Sequence, residues 1–360
     1  MSKSLSEISK AGVSVWLDDL SRARLSNGSL IKLIDEDNVV GVTTNPSIFN
    51  AAIGNSDLYA PDIKRLSNLS IDEIITELTC DDVSAACELF MPVYEKTRHL
   101  DGRISIEVDP RFARDTKSTI DQGLALWKKI NKPNLMIKVP ATVEGLPAIK
   151  ELIANGVSVN VTLIFSVKRY RQVMQAYADG LVAAMAKGLD IDQIFSVASF
   201  FISRIDTEVD KSLPHDSEMK GTAAIANAIM AYQAFEDFNK TAEWQSLQMK
   251  GANLQRPLWA STGVKDPAYD PTRYVMQLVA KNTVNTMPEN TLKAVRESGV
   301  FVGDTITGNY QSAKATLAKL ALLGIDLEKI TEHLEVDGVS KFESAWMELI
   351  ETVKTVSGKK

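Results

Sequence analysis

Lys138 is the residue whose sequence context most strongly suggests chemistry. It lies in Asn134-Leu-Met-Ile-Lys-Val-Pro140, an apolar run that is typical of a buried strand. A lysine is almost never buried unless it is paired with a carboxylate or used chemically. Burial disfavours the charged form of an amine and so favours its nucleophilic, neutral form. The segment therefore predicts Schiff-base formation with a carbonyl substrate. A buried ion pair is the structural alternative.

Other predicted strands carry polar side chains on one face, gathered near their C-terminal ends. Successive side chains on a strand point to opposite faces, so parity separates a polar face from an aliphatic one. A shared interior for such groups costs several kcal/mol unless they pair with one another. Active sites of parallel barrels are built at the C-terminal strand ends, so a catalytic site is predicted there. The polar positions that parity groups in this way are Asp18, Thr43, Asn45, Glu107, Asn160 and Thr162.

Two of these residues have simpler explanations. An aspartate at a strand end, such as Asp18, is often the N-cap of the following helix. Asn45 precedes Pro46, which is also typical of a turn. Because all the polar residues fall on matching faces, a joint structural explanation is disfavoured.

Short apolar segments alternate with helical patterns along the chain, which favours a parallel sheet. A single (β/α)₈ TIM barrel over 1–360, with additional helices and a helical C-terminal extension, is the expected fold. A doubly wound open sheet is the alternative, but no strand is followed by the glycine fingerprint of a nucleotide site. The predicted strands are Val13–Leu17, Val39–Thr43, Arg103–Val108, Leu135–Val139, Val157–Leu163, Ile194–Phe201, Pro257–Ala260 and Asn282–Met287.

The C-terminal part of the chain reads as purely helical, over Gln311–Leu323 and Leu327–Val356, with Asp326 as a cap. It could cover one end of the barrel or reach across the site. Trp16 is expected to fill the barrel floor, and Arg103 is expected in solvent.

Composition narrows the class of protein. The chain has 360 residues and a net charge of −6, and its basic residues are scattered, which disfavours nucleic acid as a partner. No apolar stretch approaches the roughly 20 residues of a membrane span, and the N-terminus lacks a signal-peptide core. Cys80 and Cys87 are expected to be buried free thiols, and the three histidines show no metal-ligand spacing. A cytoplasmic enzyme without a metal or cofactor is expected, as a monomer or a homodimer.

Two segments carry a family resemblance. Gly41-Val-Thr-Thr-Asn-Pro-Ser-Ile-Phe49 resembles the first signature of the transaldolases, and Leu135-Met-Ile-Lys-Val-Pro-Ala-Thr142 resembles the signature around their Schiff-base lysine. The resemblance spans most of the chain and is closest to the bacterial branch with chains of this length. Further matching segments are Val15–Leu20, Ile106–Asp109, Asn160–Phe165, Ser199–Arg204 and Thr286–Glu289.

The resemblance implies a (β/α)₈ barrel that transfers a dihydroxyacetone unit between sugar phosphates in the pentose phosphate pathway. Sedoheptulose 7-phosphate and glyceraldehyde 3-phosphate would give erythrose 4-phosphate and fructose 6-phosphate. By the same resemblance, Lys138 would form the Schiff base and Asp18 would take the proton of the C4 hydroxyl. Glu107 would shuttle protons through a water held with Thr162.

The resemblance also implies a substrate-binding set. Its members would hold the dihydroxyacetone hydroxyls, line the pocket or bind the phosphate. They are Asn45 and Asn160 for the hydroxyls, Thr43, Ser199 and Phe201 for the pocket, and Arg204 and Ser261 for the phosphate.

One departure concerns the phosphate end. Family members commonly carry an arginine or lysine two residues after the serine that matches Ser261, where this chain has Gly263. Lys265 could supply the second charge near Arg204, or it could be a solvated loop residue.

Two other functions stay open on the sequence. Fructose-6-phosphate aldolase shares the lysine motif and releases free dihydroxyacetone. It tends to lack a glutamate at the place of Glu107 and to have tyrosine where Phe201 stands, so both residues favour the transferase. A sugar-phosphate-binding barrel without catalysis is the remaining alternative.

Overall fold

Eight parallel strands close into a barrel in which strand order follows chain order, so the predicted (β/α)₈ TIM barrel is confirmed. This is a computed structural model that describes residues 3–358. Nearly every strand residue is buried, because one strand face packs on helices and the other fills the barrel. The strands are β1 Val13–Leu17, β2 Val39–Thr43, β3 Arg103–Glu107, β4 Leu135–Pro140, β5 Val159–Ile164, β6 Ser196–Phe201, β7 Gln255–Ala260 and β8 Thr283–Met287.

The predicted strand boundaries agree with these to within about two residues. The first two strands match at both ends, because a clean apolar alternation stops at a polar residue or a turn. The later starts differ most: Val157 and Ile194 still belong to the loops that lead into β5 and β6. Apolar loop residues that enter the core continue the hydrophobic pattern of the strand, so the pattern alone cannot locate its first residue.

Helices surround the barrel and close its ends. The two helices predicted for the C-terminal part of the chain are confirmed, with boundaries that agree to within one residue. The helices are α1 Lys3–Lys10, α2 Arg22–Ser26, α3 Ser29–Asp37, α4 Pro46–Gly54, α5 Ala60–Arg65, α6 Ile71–Lys96, α7 Thr116–Ile130, α8 Gly145–Ala154, α9 Val167–Ala186, α10 Ser203–Val209, α11 Ala223–Asn239, α12 Ala242–Gln248, α13 Arg273–Met276, α14 Glu289–Ser298, α15 Tyr310–Leu322 and α16 Leu327–Ser357.

The last helix, α16, crosses the C-terminal end of the barrel, which decides the question that the sequence left open. The Asp326 side chain caps it by accepting from the backbone N–H of Lys329, as predicted. The helix packs against α4, α6, α10 and β5. At Gly338 it comes so close that an added Cβ would lie 3.0 Å from Leu163 Cδ2. The helical extension is therefore positioned to contribute side chains to the site.

The barrel floor, at the opposite end, is built from Trp16 and a buried ion pair. Trp16 lies over Gly41, where an added Cβ would be 2.5 Å from the indole ring. The indole N–H donates to Asp101 at 3.3 Å, and Asp101 pairs with Arg256 at 2.9 Å. The pairing satisfies the charges of this buried carboxylate and guanidinium, which is a structural role.

Arg103 is buried, so the prediction that it lies in solvent is wrong. Its guanidinium donates to the carbonyl oxygen of His99 and lies 3.9 Å from the centroid of the Phe195 ring. Burial lowers the pKa of Arg103 to about 10. An arginine at the start of a strand can reach backbone carbonyls below the barrel, and this contact is not visible in residue order.

Cys80 and Cys87 are free and buried in α6, as predicted. No helix within residues 3–358 combines the length and the apolar character that crossing a membrane requires.

Candidate active site

A cavity of about 180 Å³ opens at the C-terminal end of the barrel. All the predicted site residues except Glu107 and Asn160 line it. The strand ends supply these side chains because the C-terminal residues of parallel strands converge on one rim. The lining consists of Asp18, Thr43, Asn45, Lys138, Thr162, Ser199, Phe201, Arg204, Ala260, Ser261, Gly263, Lys265, Thr286, Pro288 and Phe342.

Lys138 lies near the end of β4 with only 5% of its surface exposed. Its Nζ donates to the carbonyl oxygen of Thr44 at 3.0 Å and lies 3.5 Å from Glu107 Oε2. The ring of Phe342, from α16, is centred 5.6 Å from Nζ. The Lys138 amine is thus held on the cavity wall between the Glu107 carboxylate and the Phe342 ring.

Glu107 reaches Lys138 from the neighbouring strand β3, in register with it. Its side chain borders a second, smaller cavity of about 20 Å³, which is also lined by Gln122 and Trp346. Neither carboxylate oxygen has a hydrogen-bond partner among residues 3–358. Burial raises the pKa of Glu107 to about 7, against the lowering effect of Lys138. A carboxyl group with such a pKa can both take and give a proton near neutral pH.

Asp18 follows β1 and is half-buried at the cavity. Its backbone N–H donates to Met287 at 2.8 Å, and its carboxylate accepts from the Thr43 hydroxyl at 2.7 Å. Burial raises the pKa of Asp18, while Lys138 and Thr43 oppose the rise. The alternative that Asp18 caps a helix is wrong, because Ser21 caps α2.

Asn45 has both a structural position at the turn before Pro46 and a position at the predicted site. Its side-chain oxygen accepts from the backbone N–H of Ile48 at 3.1 Å and so caps α4. The same side chain also lines the cavity. Capping fixes the oxygen, which leaves the amide N–H groups to face a ligand.

Asn160, on β5, is fully buried and lies behind the cavity wall rather than on it. Its amide nitrogen donates to Ser105 at 3.0 Å, and its oxygen accepts from Ser199 at 2.7 Å. Ser199 does line the cavity, so in this arrangement Asn160 is connected to it through that hydroxyl.

Thr162 lies beside an irregularity in β5. Leu163 has a φ of +59°, and the pairing with β6 shifts between Val161 and Ile164. Such a bulge re-aims side chains and is common next to active sites. The Thr162 hydroxyl is buried on the cavity, and no described residue forms a hydrogen bond with it. A buried hydroxyl without a hydrogen-bond partner is expected to bind a water or a substrate group.

The opposite end of the cavity carries positive charge. Arg204 is half-buried, and its Nη1 has no hydrogen-bond partner in the described part of the chain. Burial lowers the pKa of Arg204 from its usual value. Ser261 adopts a φ of +54° at the end of β7, and its hydroxyl lies 3.0 Å from that of Ser203. Lys265 is exposed yet lines the cavity. An arginine with a free N–H beside hydroxyls and a lysine can bind a phosphate.

A family model described as Transaldolase/Fructose-6-phosphate aldolase matches residues 15–353 of this sequence. The chain belongs to this family. The match begins within β1 and covers the other seven strands, all the side chains that line the cavity and nearly all of α16.

Relatives with high coverage carry one name. A protein named Transaldolase from Acidothermus cellulolyticus is 53% identical, over 98% of this chain and 96% of its own length. Transaldolase 1 from Streptomyces avermitilis is 52% identical, over 98% and 95%. Transaldolase from Mycobacterium tuberculosis strain H37Rv is 50% identical, over 97% and 96%.

Besides Gly263, four residues that line the cavity of this family member were not predicted from the sequence: Ala260, Thr286, Pro288 and Phe342. Thr286 and Pro288 stand in a segment that carries the resemblance, and Thr286 is a polar residue near the end of β8, so parity could have found it. Thr286 accepts from or donates to Thr43 at 2.7 Å. Phe342 lies in the last helix, where nothing in a helical pattern indicates which apolar residue faces a site.

Proposed function

We propose that this chain is a transaldolase, which transfers a dihydroxyacetone unit between sugar phosphates through a lysine Schiff base in the pentose phosphate pathway. The observation that carries the proposal is the position of the Lys138 amine. It lies on the wall of a sugar-sized cavity, 3.5 Å from a carboxyl group whose pKa is about 7. Family membership and relatives named transaldolase support the same activity.

The first step is attack of the neutral Lys138 amine on the C2 carbonyl of a ketose phosphate. The resulting carbinolamine loses water to give an iminium ion, and the oxygen needs a proton to leave. Glu107 is suited to supply it, through a water shared with Thr162. Among residues 3–358, neither the Glu107 carboxylate oxygens nor the Thr162 hydroxyl has a hydrogen-bond partner, so each of the two side chains can bind a water.

The second step is carbon–carbon cleavage. Asp18 takes the proton of the C4 hydroxyl, the C3–C4 bond breaks, and its electron pair moves into the iminium to form an enamine. An aldose phosphate leaves, while the enamine stays attached to Lys138 until a second aldose accepts it. The hydrogen bond from Thr43 holds the Asp18 carboxylate in one orientation for this transfer.

Different residues of the cavity are proposed to bind the dihydroxyacetone unit and the phosphate. Asn45 and Ser199 hold hydroxyls of the dihydroxyacetone unit, and Asn160 orients Ser199. Thr43 and Phe201 shape the wall around that unit. Arg204 and Ser261 bind the phosphate, with Lys265 as the second cation.

Fructose-6-phosphate aldolase is the nearest alternative, since the family model covers both activities. The relatives at about half identity, all named transaldolase, favour transfer over release. The presence of Glu107 and of phenylalanine at position 201 agrees with transfer.

Two measurements test the proposal. Borohydride reduction in the presence of fructose 6-phosphate should add the mass of a reduced dihydroxyacetone or hexose phosphate adduct to the peptide that contains Lys138. Turnover should require an aldose acceptor. An unlabelled peptide would support the non-catalytic barrel, and dihydroxyacetone released at the full rate without an acceptor would support the aldolase.

A further inference from the structure

Arg24, in the short helix α2, joins two loops at the rim of the barrel. Its side chain is only 12% exposed. Its Nη2 donates to Asp19 at 2.6 Å and to Glu289 Oε2 at 2.7 Å, while Nη1 lies 3.4 Å from Glu289 Oε1. One guanidinium therefore ties the loop after β1 to the first residue of α14, which follows β8.

These two loops contain residues that are next to Asp18 in the chain or that line the same cavity. Asp19 is the next residue in the chain, and Glu289 follows Pro288, which lines the cavity. The backbone N–H of Asp18 donates to Met287 across the same junction. Arg24 therefore bridges the same two segments that this backbone hydrogen bond joins.

Charges reach Asp18 from several elements. Lys138 on β4 and Lys265 after β7 lower its pKa, while Asp19 raises it. Glu107 on β3 is a further acidic group that interacts with Asp18. Of the two aspartates after β1, only Asp19 has an arginine bound to its carboxylate. Without Arg24, a second uncompensated negative charge would stand beside the proposed base.

We propose that Arg24 is a positioning residue for Asp18, which holds the base between β1 and β8 and compensates the acidic charge of its neighbour Asp19. This role rests on the proposed function, because it concerns the base of the cleavage step. It predicts that Arg24 affects carbon–carbon cleavage and leaves Schiff-base formation at Lys138 intact.

The sign of the expected pH effect follows from charge. Asp18 must be ionised to act as a base. The rate of cleavage therefore rises with pH as the Asp18 carboxyl group loses its proton, which gives the pH profile a rising limb. Removing the positive charge in Arg24→Met should move this limb of the pH profile to higher pH, by about 0.5 unit for partly exposed charges. Asp19→Asn should move the limb to lower pH.

The measurement is the release of glyceraldehyde 3-phosphate from fructose 6-phosphate in a single turnover, followed from pH 5 to 9 with the full chain. We expect cleavage to slow about 3- to 10-fold in Arg24→Met, because a displaced base loses alignment. The double variant Arg24→Met/Asp19→Asn should return the limb toward that of the unmodified protein. Arg24→Lys, which keeps the charge, should leave the limb in place.

Arg169→Met is the matched control. Arg169 is similarly buried and pairs with Glu335 at 3.1 Å, but this pair belongs to α9 and α16 and not to the two loops that carry Asp18. It should lose stability comparably without any change in the pH limb. If Arg24→Met behaves like this control, or if Asp19→Asn moves the limb in the same direction, the proposal is refuted.

The same experiment separates this proposal from the proposed function. Borohydride trapping and acceptor-dependent turnover by the unmodified protein report on the transaldolase activity alone. If both occur and Arg24→Met leaves the pH profile unchanged, only the role of Arg24 fails. If the unmodified protein neither traps nor transfers, the proposed function itself fails.

Discussion

The Lys138 amine and the Glu107 carboxylate lie 3.5 Å apart, yet their side chains border different cavities. Lys138 faces the large cavity, which is the proposed substrate site. Glu107 faces the small one, which has room for about one water. The pair thus lies at the boundary between the large cavity, which Thr162 also lines, and the small one. That separation suits a reaction in which the lysine bonds to carbon while the carboxyl group handles the proton and the water.

Asp18→Asn should separate the two chemical steps. The amide keeps the size of the side chain but cannot take the C4 proton, so Schiff-base trapping should persist while cleavage slows about 10²- to 10⁴-fold. Rapid-quench measurement of glyceraldehyde 3-phosphate, alongside borohydride trapping, checks this. Unchanged cleavage would remove Asp18 from the base role.

Glu107→Gln should affect the other step. Glutamine cannot exchange a proton with the carbinolamine, so trapping itself should slow by about 10²-fold or more. Because the pKa of Glu107 is about 7, the unmodified protein should show a transition near that pH in its trapping rate. The transition should vanish in the variant. A trapping rate that keeps the same pH dependence would assign the transition to another group.

The raised pKa of Glu107 also predicts how stability depends on pH. Between its ordinary value of 4.5 and about 7, the folded protein holds a proton that the unfolded chain has lost. The free energy of unfolding should therefore fall as pH rises through this window. In Glu107→Gln that contribution is absent, so chemical denaturation at pH 5 and pH 7 should show a smaller difference than in the unmodified protein. An equal difference in both would locate the linkage elsewhere.

The phosphate end offers a gain-of-affinity test. An added Cβ at Gly263 would lie 3.6 Å from its nearest neighbours, Pro288 and Thr291, so a side chain fits there. Gly263→Arg should lower the KM for fructose 6-phosphate about 10-fold, because one charged hydrogen bond is worth about 1.5–3 kcal/mol. Lys265→Ala should raise the KM by a similar factor.

Combining the two changes shows whether the cations are equivalent. In Gly263→Arg/Lys265→Ala the new arginine should restore the KM of the unmodified protein. If Lys265→Ala alone has no effect, Lys265 is a solvated loop residue and the phosphate relies on Arg204 and Ser261.

Strand parity predicted much of the site because it is a local rule. Alternation along each strand placed Thr43, Lys138 and Thr162 on the interior face, and the structure has them there. Parity does not indicate which polar side chains form hydrogen bonds with one another. Asn160 pairs with Ser105 and Ser199 behind the wall, a relationship that depends on three strands lying side by side.

The contribution of α16 could not be predicted for a different reason. Gly338, Phe342 and Trp346 follow one another at the spacing of a single helix face. That spacing indicates only that the face is buried. Phe342 meets Lys138 and Trp346 meets the small cavity because the helix crosses the barrel mouth, and long-range packing alone decides the crossing.

Residue order by itself determined the barrel, the buried lysine and the polar strand ends, since alternation and apolar runs are properties of neighbouring residues. Only the tertiary structure decided that Glu107 borders a separate small cavity and that Arg103 is buried. It alone also revealed that Arg24 ties β1 to β8 behind Asp18. Each of these depends on the distance between residues that are far apart in the chain, and those distances exist only once the barrel has closed.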